Sequence, residues 1–413
     1  MRPIPILLSF LLALPISFPP PARAGERLTE TQLPLLGGLE QAVEFWKLVF
    51  TRFSASEVVF HDPAEPTRIY KVLALGEGGA PRELIDRERR NILQDQGLQD
   101  EKRVRAQRGI RERSAEGLRL STRYLGQMRR VFEAEGLPLD LAYLPLVESS
   151  FQIYARSRAG ALGMWQFMPS TGRLFLRVSS AVDERRDPIE STRAAARFLK
   201  QNYEALGDWP LAVTAYNHGK EGLLRAIAEV GSRDLIEIIR RYQSPTFGYA
   251  SKNFYAEFLA AVEVAKRGED FFPQLEYHPP LVLEEMKLER AISVTALLKS
   301  TDILRGDLFD WNPALDRKIR DIPTGYRLKV PGEKLELFRS AYQKIAAGPQ
   351  AKPEAESIGE RAMAWIRHRV APGETLSQIA RNYRISVQAI QQANGLKTSH
   401  TIVAGQHLRI PKS

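Results

Sequence analysis

The 413-residue chain contains no cysteine. That absence excludes a disulfide framework, a thiolate zinc site, an iron–sulfur cluster, a cysteine nucleophile and a lipid-anchored cysteine. It leaves the redox compartment open, because a thiol-free protein is indifferent to it. Histidine is scarce as well. The six are His61, His218, His278, His368, His400 and His407, with no HExxH pair, so metal catalysis has little support and no metal site is expected. There is no phosphate-cradling loop with its lysine and no nucleophile elbow, although a dispersed Ser–His–Asp set stays open. No cofactor is expected. Past the first residues no apolar run is long enough to span a bilayer. What remains, 44% hydrophobic and 26% charged, is ordinary for a globular protein. The length suits about two to four domains.

Residues 1–24 combine a basic start, an apolar stretch broken by prolines and the small-x-small sequence Ala22-Arg23-Ala24. This is the pattern of a secretory signal peptide cleaved after Ala24. Losing Arg2 and Arg23 lowers the formal net charge from +10 to +8 on 389 residues. The mature chain is expected to be exported, soluble and basic. Its anionic partners outside the cytoplasm would be wall polymers, with lipid headgroups open to peripheral membrane association. Lys and Arg are dense over Glu101–Arg113, but acids interleave from Glu83 to Glu116. That mixture reads as a solvated helix face and not as a nucleic-acid surface.

Residues 25–110 read as helical, with apolar spacing at Leu39, Val43, Trp46 and Val49 and no chemical motif. Residues 111–272 form the densest block of amphipathic helices, and Pro273, Pro279 and Pro280 mark a change of style. Residues 346–362 have the composition of a linker. An internal repeat sits in the C-terminal half: Ile385, Ile390 and Asn394 match Ile303, Leu308 and Asn312, and Gly405–Pro411 lines up with Gly325–Pro331. The last copy reads as strand, helix, helix, strand. Arg367–Val370 is a β-type run, Thr375 and Gln378 form a capping box, Ser386 caps a second helix, and His407–Ile410 alternates as a strand.

The most informative residue lies in Leu137–Phe151. Read as one helix, its apolar stripe runs Leu137, Leu141, Leu144, position 148 and Phe151, and position 148 is Glu. A carboxylate in a core slot is either paired, with Arg156 or Arg158 as candidates, or kept protonated. A glutamic acid whose pKa is raised by desolvation suits general acid–base work, although structural ion-pair networks shift pKa values too. The next segment, Ala155–Met168, packs small residues before Met164, Trp165, Gln166, Phe167 and Met168. Gly160 and Gly163 there allow turns or close backbone approach. Gln166 among apolar walls fits a saccharide cleft. Ala215-Tyr216-Asn217-His218-Gly219 ends a further helix, where Asn and Gly would also serve as a plain C-terminal cap.

Two resemblances follow. The last copy, with Pro372-Gly373-Glu374-Thr375-Leu376 and Asn394-Gly395-Leu396, resembles a LysM domain over 366–412. The resemblance implies binding of N-acetylglucosamine-containing glycans, with Gly373, Glu374, Thr375, Leu376 and Ile402 as contacts. The same residues equally serve to close turns and cap helices. Residues 289–332 lack the Pro-Gly-Glu-Thr sequence and read as a degenerate LysM-like module. Glu148-Ser-Ser-Phe151, Ala159–Met168, Asp183–Pro188, Gly207–Leu211 and Ala215–Gly219, in this order, resemble the lytic transglycosylases of the membrane-bound D type. The implied fold is mainly α, a goose-type lysozyme-like domain over 111–272 followed by small α+β (βααβ) LysM modules.

The resemblance also implies an activity. The β-1,4 bond between N-acetylmuramic acid and N-acetylglucosamine would be cleaved without water, giving 1,6-anhydromuramoyl products in the periplasm. Glu148 would act as acid and then base, in contrast to two-carboxylate schemes. Ser149 would orient Glu148 or the substrate, Met164 and Gln166 would line the cleft, and Tyr216 and Asn217 would support Glu148 and the sugar. His218 departs from the small residue usual in that motif and is expected to be exposed and passive. A hydrolytic muramidase would need a second carboxylate, for which Asp183, Glu184 and Asp187 offer themselves. Asp187, however, already matches an N-cap before Pro188. A non-catalytic peptidoglycan-binding protein is the reading from another class.

Overall fold

The computed structural model describes residues 33–75, 81–347 and, between 365 and 411, all but 372–373, 384, 395, 397–401 and 404. The expected signal peptide, linker residues 348–362 and Gly373 lie outside the described residues. The chain divides into two compact units, one reaching Tyr342 and the other comprising 343–413.

The first helix, α1 (Glu40–Thr51), buries Val43, Trp46 and Val49 on the face their spacing predicts. The remainder of 25–110 is not helical throughout, contrary to expectation. Strands β1 (Glu57–His61), β2 (Ile69–Ala74) and β3 (Arg105–Arg108) form an antiparallel sheet in the order β2-β1-β3, and α2 (Arg82–Asp95) lies between the last two in sequence. The strands draw on β-branched and aromatic runs such as Val58-Val59-Phe60, too short for helical periodicity to register. Their own small core holds Val58, Phe60, Ile92, Leu93 and Val104. Asp62 is fully buried and held by Arg103 and by the Tyr70 hydroxyl.

The helical block follows as α3 (Arg111–Ser121), α4 (Leu125–Ala134), α5 (Leu144–Ser149), α6 (Pro169–Gly172), α7 (Pro188–Leu206), α8 (Trp209–His218), α9 (Lys220–Val230), α10 (Leu235–Arg241), α11 (Tyr249–Lys266) and α12 (Gly268–Phe271). Its centre is α11, which packs against α1, α5 and α8 and buries residues on nearly every side. A boundary at residue 110 therefore does not separate two cores. Phe45, Val49 and Phe50 of α1 belong to the same apolar cluster as Trp165, Leu199, Val213 and Phe258. The sequence signal for α7 holds: Asp187 caps it, accepting from the backbone N–H groups of Ile189 and Glu190 at 3.0 Å, with Pro188 at the first position.

Residues 273–282 lie along α3 and α4, where the backbone N–H groups of His278 and Leu281 donate to the carbonyls of Arg119 and Arg123. The module after them opens at β4 (Leu283–Lys287), not at 289. It continues through β5 (Ile292–Ser293), α13 (Val294–Thr301), α14 (Arg305–Trp311), β6 (Asp321–Ile322), β7 (Arg327–Pro331) and α15 (Leu335–Ala347), with β4 antiparallel to β7. The second unit repeats the plan as β8 (Trp365–Arg369), α16 (Leu376–Asn382), α17 (Val387–Ala393) and β9 (His407–Pro411), with β8 antiparallel to β9. One asparagine clamps each copy. Asn312 Nδ2 donates to Leu308 O at 2.9 Å and Lys329 O at 2.8 Å, and its Oδ1 accepts from Lys329 N at 2.8 Å. Asn394 makes the same three bonds with Ile390 and Arg409 at 2.8, 2.8 and 2.7 Å. Ser293 and Thr375 cap the first helix of each copy at its third backbone N–H.

The first copy is docked onto the helical block by buried charge. Lys329 Nζ lies 2.7 Å from Asp187 Oδ2, with the two side chains 5% and 1% exposed. Glu190 and Glu285 stand 3.8 and 3.9 Å away. The backbone N–H of Asp183 and the Arg186 guanidinium both reach Ala314 O. Removing one member of a buried pair leaves the other uncompensated, which costs about 3–5 kcal/mol. Lys329→Met should therefore lower the free energy of urea unfolding by about 3 kcal/mol. A loss below about 1 kcal/mol, the range of a surface pair, would contradict this reading of the dock.

Candidate active site

The glutamate-bearing segment is not the single helix that its stripe predicts. Pro138 and Pro145 divide it into a 3₁₀ turn at Leu139–Tyr143 and the six-residue α5. The stripe is nonetheless correct in its consequence: Leu137, Leu141, Leu144 and Phe151 are buried, and Glu148 beside them is half-buried. Phe151 reaches the core because Ser150 and Phe151 take left-handed conformations, with φ of 53° and 57°. Gln166 has φ of 48°. Three of the four positive-φ residues other than glycine among the described residues thus fall in two short segments that follow Glu148 in the chain. Such backbone strain gathers where the surroundings fix one geometry for function.

The loop Ala155–Met168 is pinned against α5 from several sides. Ser149 Oγ donates to Met164 O at 2.8 Å, Trp165 Nε1 donates to Thr192 Oγ1 at 2.9 Å, and the Tyr216 hydroxyl donates to Trp165 O at 2.8 Å. The Arg185 guanidinium reaches Gly160 O and Phe167 O, both at 3.1 Å, and is itself held by Asp183. Gly163, at φ of 82°, lies so close to Arg185 that a Cβ there would overlap its carbonyl oxygen. Gln166 donates through Nε2 to Ala155 O at 3.1 Å and Gly163 O at 2.8 Å. Its amide oxygen has no donor among the described residues.

Two predicted site residues change character. Ser149 and Met164 are each 1% exposed, so neither side chain can touch a substrate. They are the joint that holds the loop to α5. Tyr216 senses the charge of Glu148, but its hydroxyl is committed to Trp165. Asn217 is exposed and accepts from Ser251 Oγ at 3.0 Å, tying the end of α8 to α11. His218 is not an exposed, passive residue. Its ring is half-buried, edge-on to Phe247 at 4.9 Å, and burial pushes its pKa down.

Among the described residues no hydrogen bond or ion pair reaches Glu148. Arg156 and Arg158 are both exposed and leave it unpaired. Burial alone pushes its carboxyl up to about 8. The helix α11 brings a second acid, Glu257, that the sequence reading missed. Burial raises Glu257 to about 8 as well, and the charge of Glu148 adds to the effect. Like Glu148, Glu257 has no cation or hydrogen-bond donor among the described residues. The carboxylates that the sequence offered for this role are already engaged: Asp183 with Arg185 at 2.8 Å, Asp187 with Lys329, and Glu184 with the backbone N–H of Arg177 at 2.7 Å. No group of three or more His, Asp or Glu side chains among the described residues could hold a metal ion.

In the second unit, Glu374 accepts from Ala371 N at 2.9 Å and meets His368 Nε2 at 2.8 Å. Those two contacts hold its carboxyl below the usual range. Thr375 forms the full capping box with Gln378, and Leu376 and Ile402 are half-buried against the small core. The predicted glycan contacts therefore also build the module.

The transglycosylase SLT domain family matches residues 133–239, and the LysM domain family matches residues 368–411. The membrane-bound lytic murein transglycosylase D of Escherichia coli (strain K12) is 27% identical over 289 residues, which cover 69% of this chain and 62% of that protein. The chain thus matches less than two thirds of that relative's length. A putative tributyltin chloride resistance protein of Alteromonas sp. (strain M-1) is 30% identical over 162 residues, 39% of this chain and 76% of that protein. The chain is thus mainly helical, carries a transglycosylase SLT domain that contains Glu148 and a C-terminal LysM domain, and is homologous to that lytic murein transglycosylase D.

Proposed function

We propose that this protein is a peptidoglycan lytic transglycosylase of the periplasm. It cleaves the β-1,4 bond between N-acetylmuramic acid and N-acetylglucosamine and leaves 1,6-anhydromuramoyl ends. The observation that carries this reading is the unpaired, half-buried carboxyl of Glu148, which holds its proton in the neutral range. Glu148 gives that proton to the glycosidic oxygen as the bond to C1 breaks. Its carboxylate then takes the proton of the muramoyl 6-hydroxyl as O6 bonds to C1. The site begins and ends in the same protonation state, and no water is consumed.

The surrounding residues serve this cycle in distinct ways. Ser149, Tyr216 and Arg185 hold the loop that carries Gln166, whose free amide oxygen can accept from a sugar hydroxyl or acetamido N–H. Asn217 fixes the end of α8 beside α11. The LysM domain supplies a separate hold on glycan strands through the loops around Glu374–Leu376 and Ile402. A hydrolytic muramidase is the second reading, and Glu257 favours it to the extent that water activation needs a second carboxylate.

Glu148→Gln removes the transferable proton and should slow release of soluble fragments from purified sacculi by about 10²–10⁴-fold, with thermal unfolding unchanged. Equal release by both proteins would eliminate Glu148 as the acid. The wild-type rate should fall as pH rises through about 8, because the acid must be protonated to act. A rate that kept rising beyond that point would contradict the assignment.

A further inference from the structure

We propose that Glu257 is a second acid of the Glu148 site, a positioning residue that works through Glu148 by keeping a proton on the helix packed against it. The reaction it serves rests on the transglycosylase reading, but the pairing itself does not. Helix α11 is buried on nearly every side, through Phe254, Tyr255, Ala256, Phe258 and Ala261 among others, yet it places a carboxyl between Ala256 and Phe258. It packs on α5, and the charge of Glu148 acts on Glu257 directly. Elsewhere in the helical block, buried Asp140 has Lys266 at 2.7 Å and buried Asp187 has Lys329, while half-buried Glu184 and Asp208 accept from backbone N–H groups. This pair has neither kind of partner among the described residues. Two acids on neighbouring helices without a counter-ion are costly to keep unless their proton is used.

The surrounding groups do not neutralise the pair. From α8, Tyr216 is kept protonated by burial and by the charge of Glu148, and burial keeps His218 toward its neutral form. On α11, burial keeps Tyr249 protonated and lowers Lys252. The Arg105 guanidinium of β3 is spent on the Tyr249 ring, 3.8 Å from its centroid. Asp140, before α5, is already bound by Lys266. Like charges in one half-buried site without a counter-ion do not both ionise readily, so the pair keeps at least one proton where a free carboxyl would have lost it. When Glu148 protonates the glycosidic oxygen, the proton on Glu257 leaves the new carboxylate beside a neutral acid. The proton from the 6-hydroxyl then restores the starting state. The net proton count is unchanged over the cycle.

The test is reciprocal and does not depend on turnover. In the full-length protein with ¹³C-labelled glutamate side chains, carboxyl titration by NMR should show each acid losing its proton earlier when the other is gone. The midpoint of Glu148 in Glu257→Gln, and that of Glu257 in Glu148→Gln, should each fall by about one pH unit, a tenfold weaker hold on the proton. In Glu257→Gln the alkaline limb of kcat/KM on sacculi should move to lower pH with it, a shift that a merely structural glutamate would not cause. Unmoved midpoints in both variants overturn the pairing, and the second variant decides if the first does not fold. Wild-type fragments with ordinary reducing ends would overturn the transglycosylase reading and leave the pairing to be judged by the midpoints.

Discussion

Withdrawing a carboxyl group from water without giving it a cation is costly, and the usual relief is to keep the proton. The architecture around Glu148 maintains that condition. The helix α5 is kept short by two prolines and a left-handed exit, so Phe151 turns inward and Glu148 stays at the boundary of the core. Ser149 locks α5 to the loop of Gln166, and Arg185 with Tyr216 locks that loop to the helices behind it. Each contact spends a polar group on backbone carbonyls and none on the acid. Glu148 is left without a partner among the described residues, and burial holds its proton.

The lead helix explains why α11 can play its part. A helix buried almost all round needs cover from several neighbours, and α1 provides part of it through Phe45, Val49 and Phe50. The sheet β2-β1-β3 extends this cover and sets Arg105 over Tyr249. On the opposite side of the sequence, the first βααβ copy is fixed to the helical block through Lys329 and Asp187. The second copy, with the same asparagine clamp, lies in the other compact unit. One copy is thus built into the first unit, and the other forms a LysM domain.

Much of this was legible in the sequence, for identifiable reasons. The cap at Asp187, the capping box at Thr375, the face of α1 and the pairing of Asn312 with Asn394 depend on neighbours close in sequence or on exact repetition. Glu148 stood out because a charged residue occupied an apolar slot. Glu257 interrupts the buried run of its own helix in the same way, between Ala256 and Phe258, and the same test finds it. It passed unnoticed because no motif surrounded it. Less legible were the short strands of 57–108, whose pairing is set by partners far away in sequence, and the burial of Ser149 and Met164. Those two lie in the motif, but tertiary packing assigned them to support the loop and not to touch a ligand.

The central claim is that a carboxyl acting as both acid and base completes the cleavage without water. Digestion of purified sacculi in heavy-oxygen water, followed by mass spectrometry of the fragments, tests it most directly. The account predicts muramoyl ends lighter by one water than hydrolytic ends and free of solvent oxygen. Muramoyl ends that carry the heavy label would contradict it.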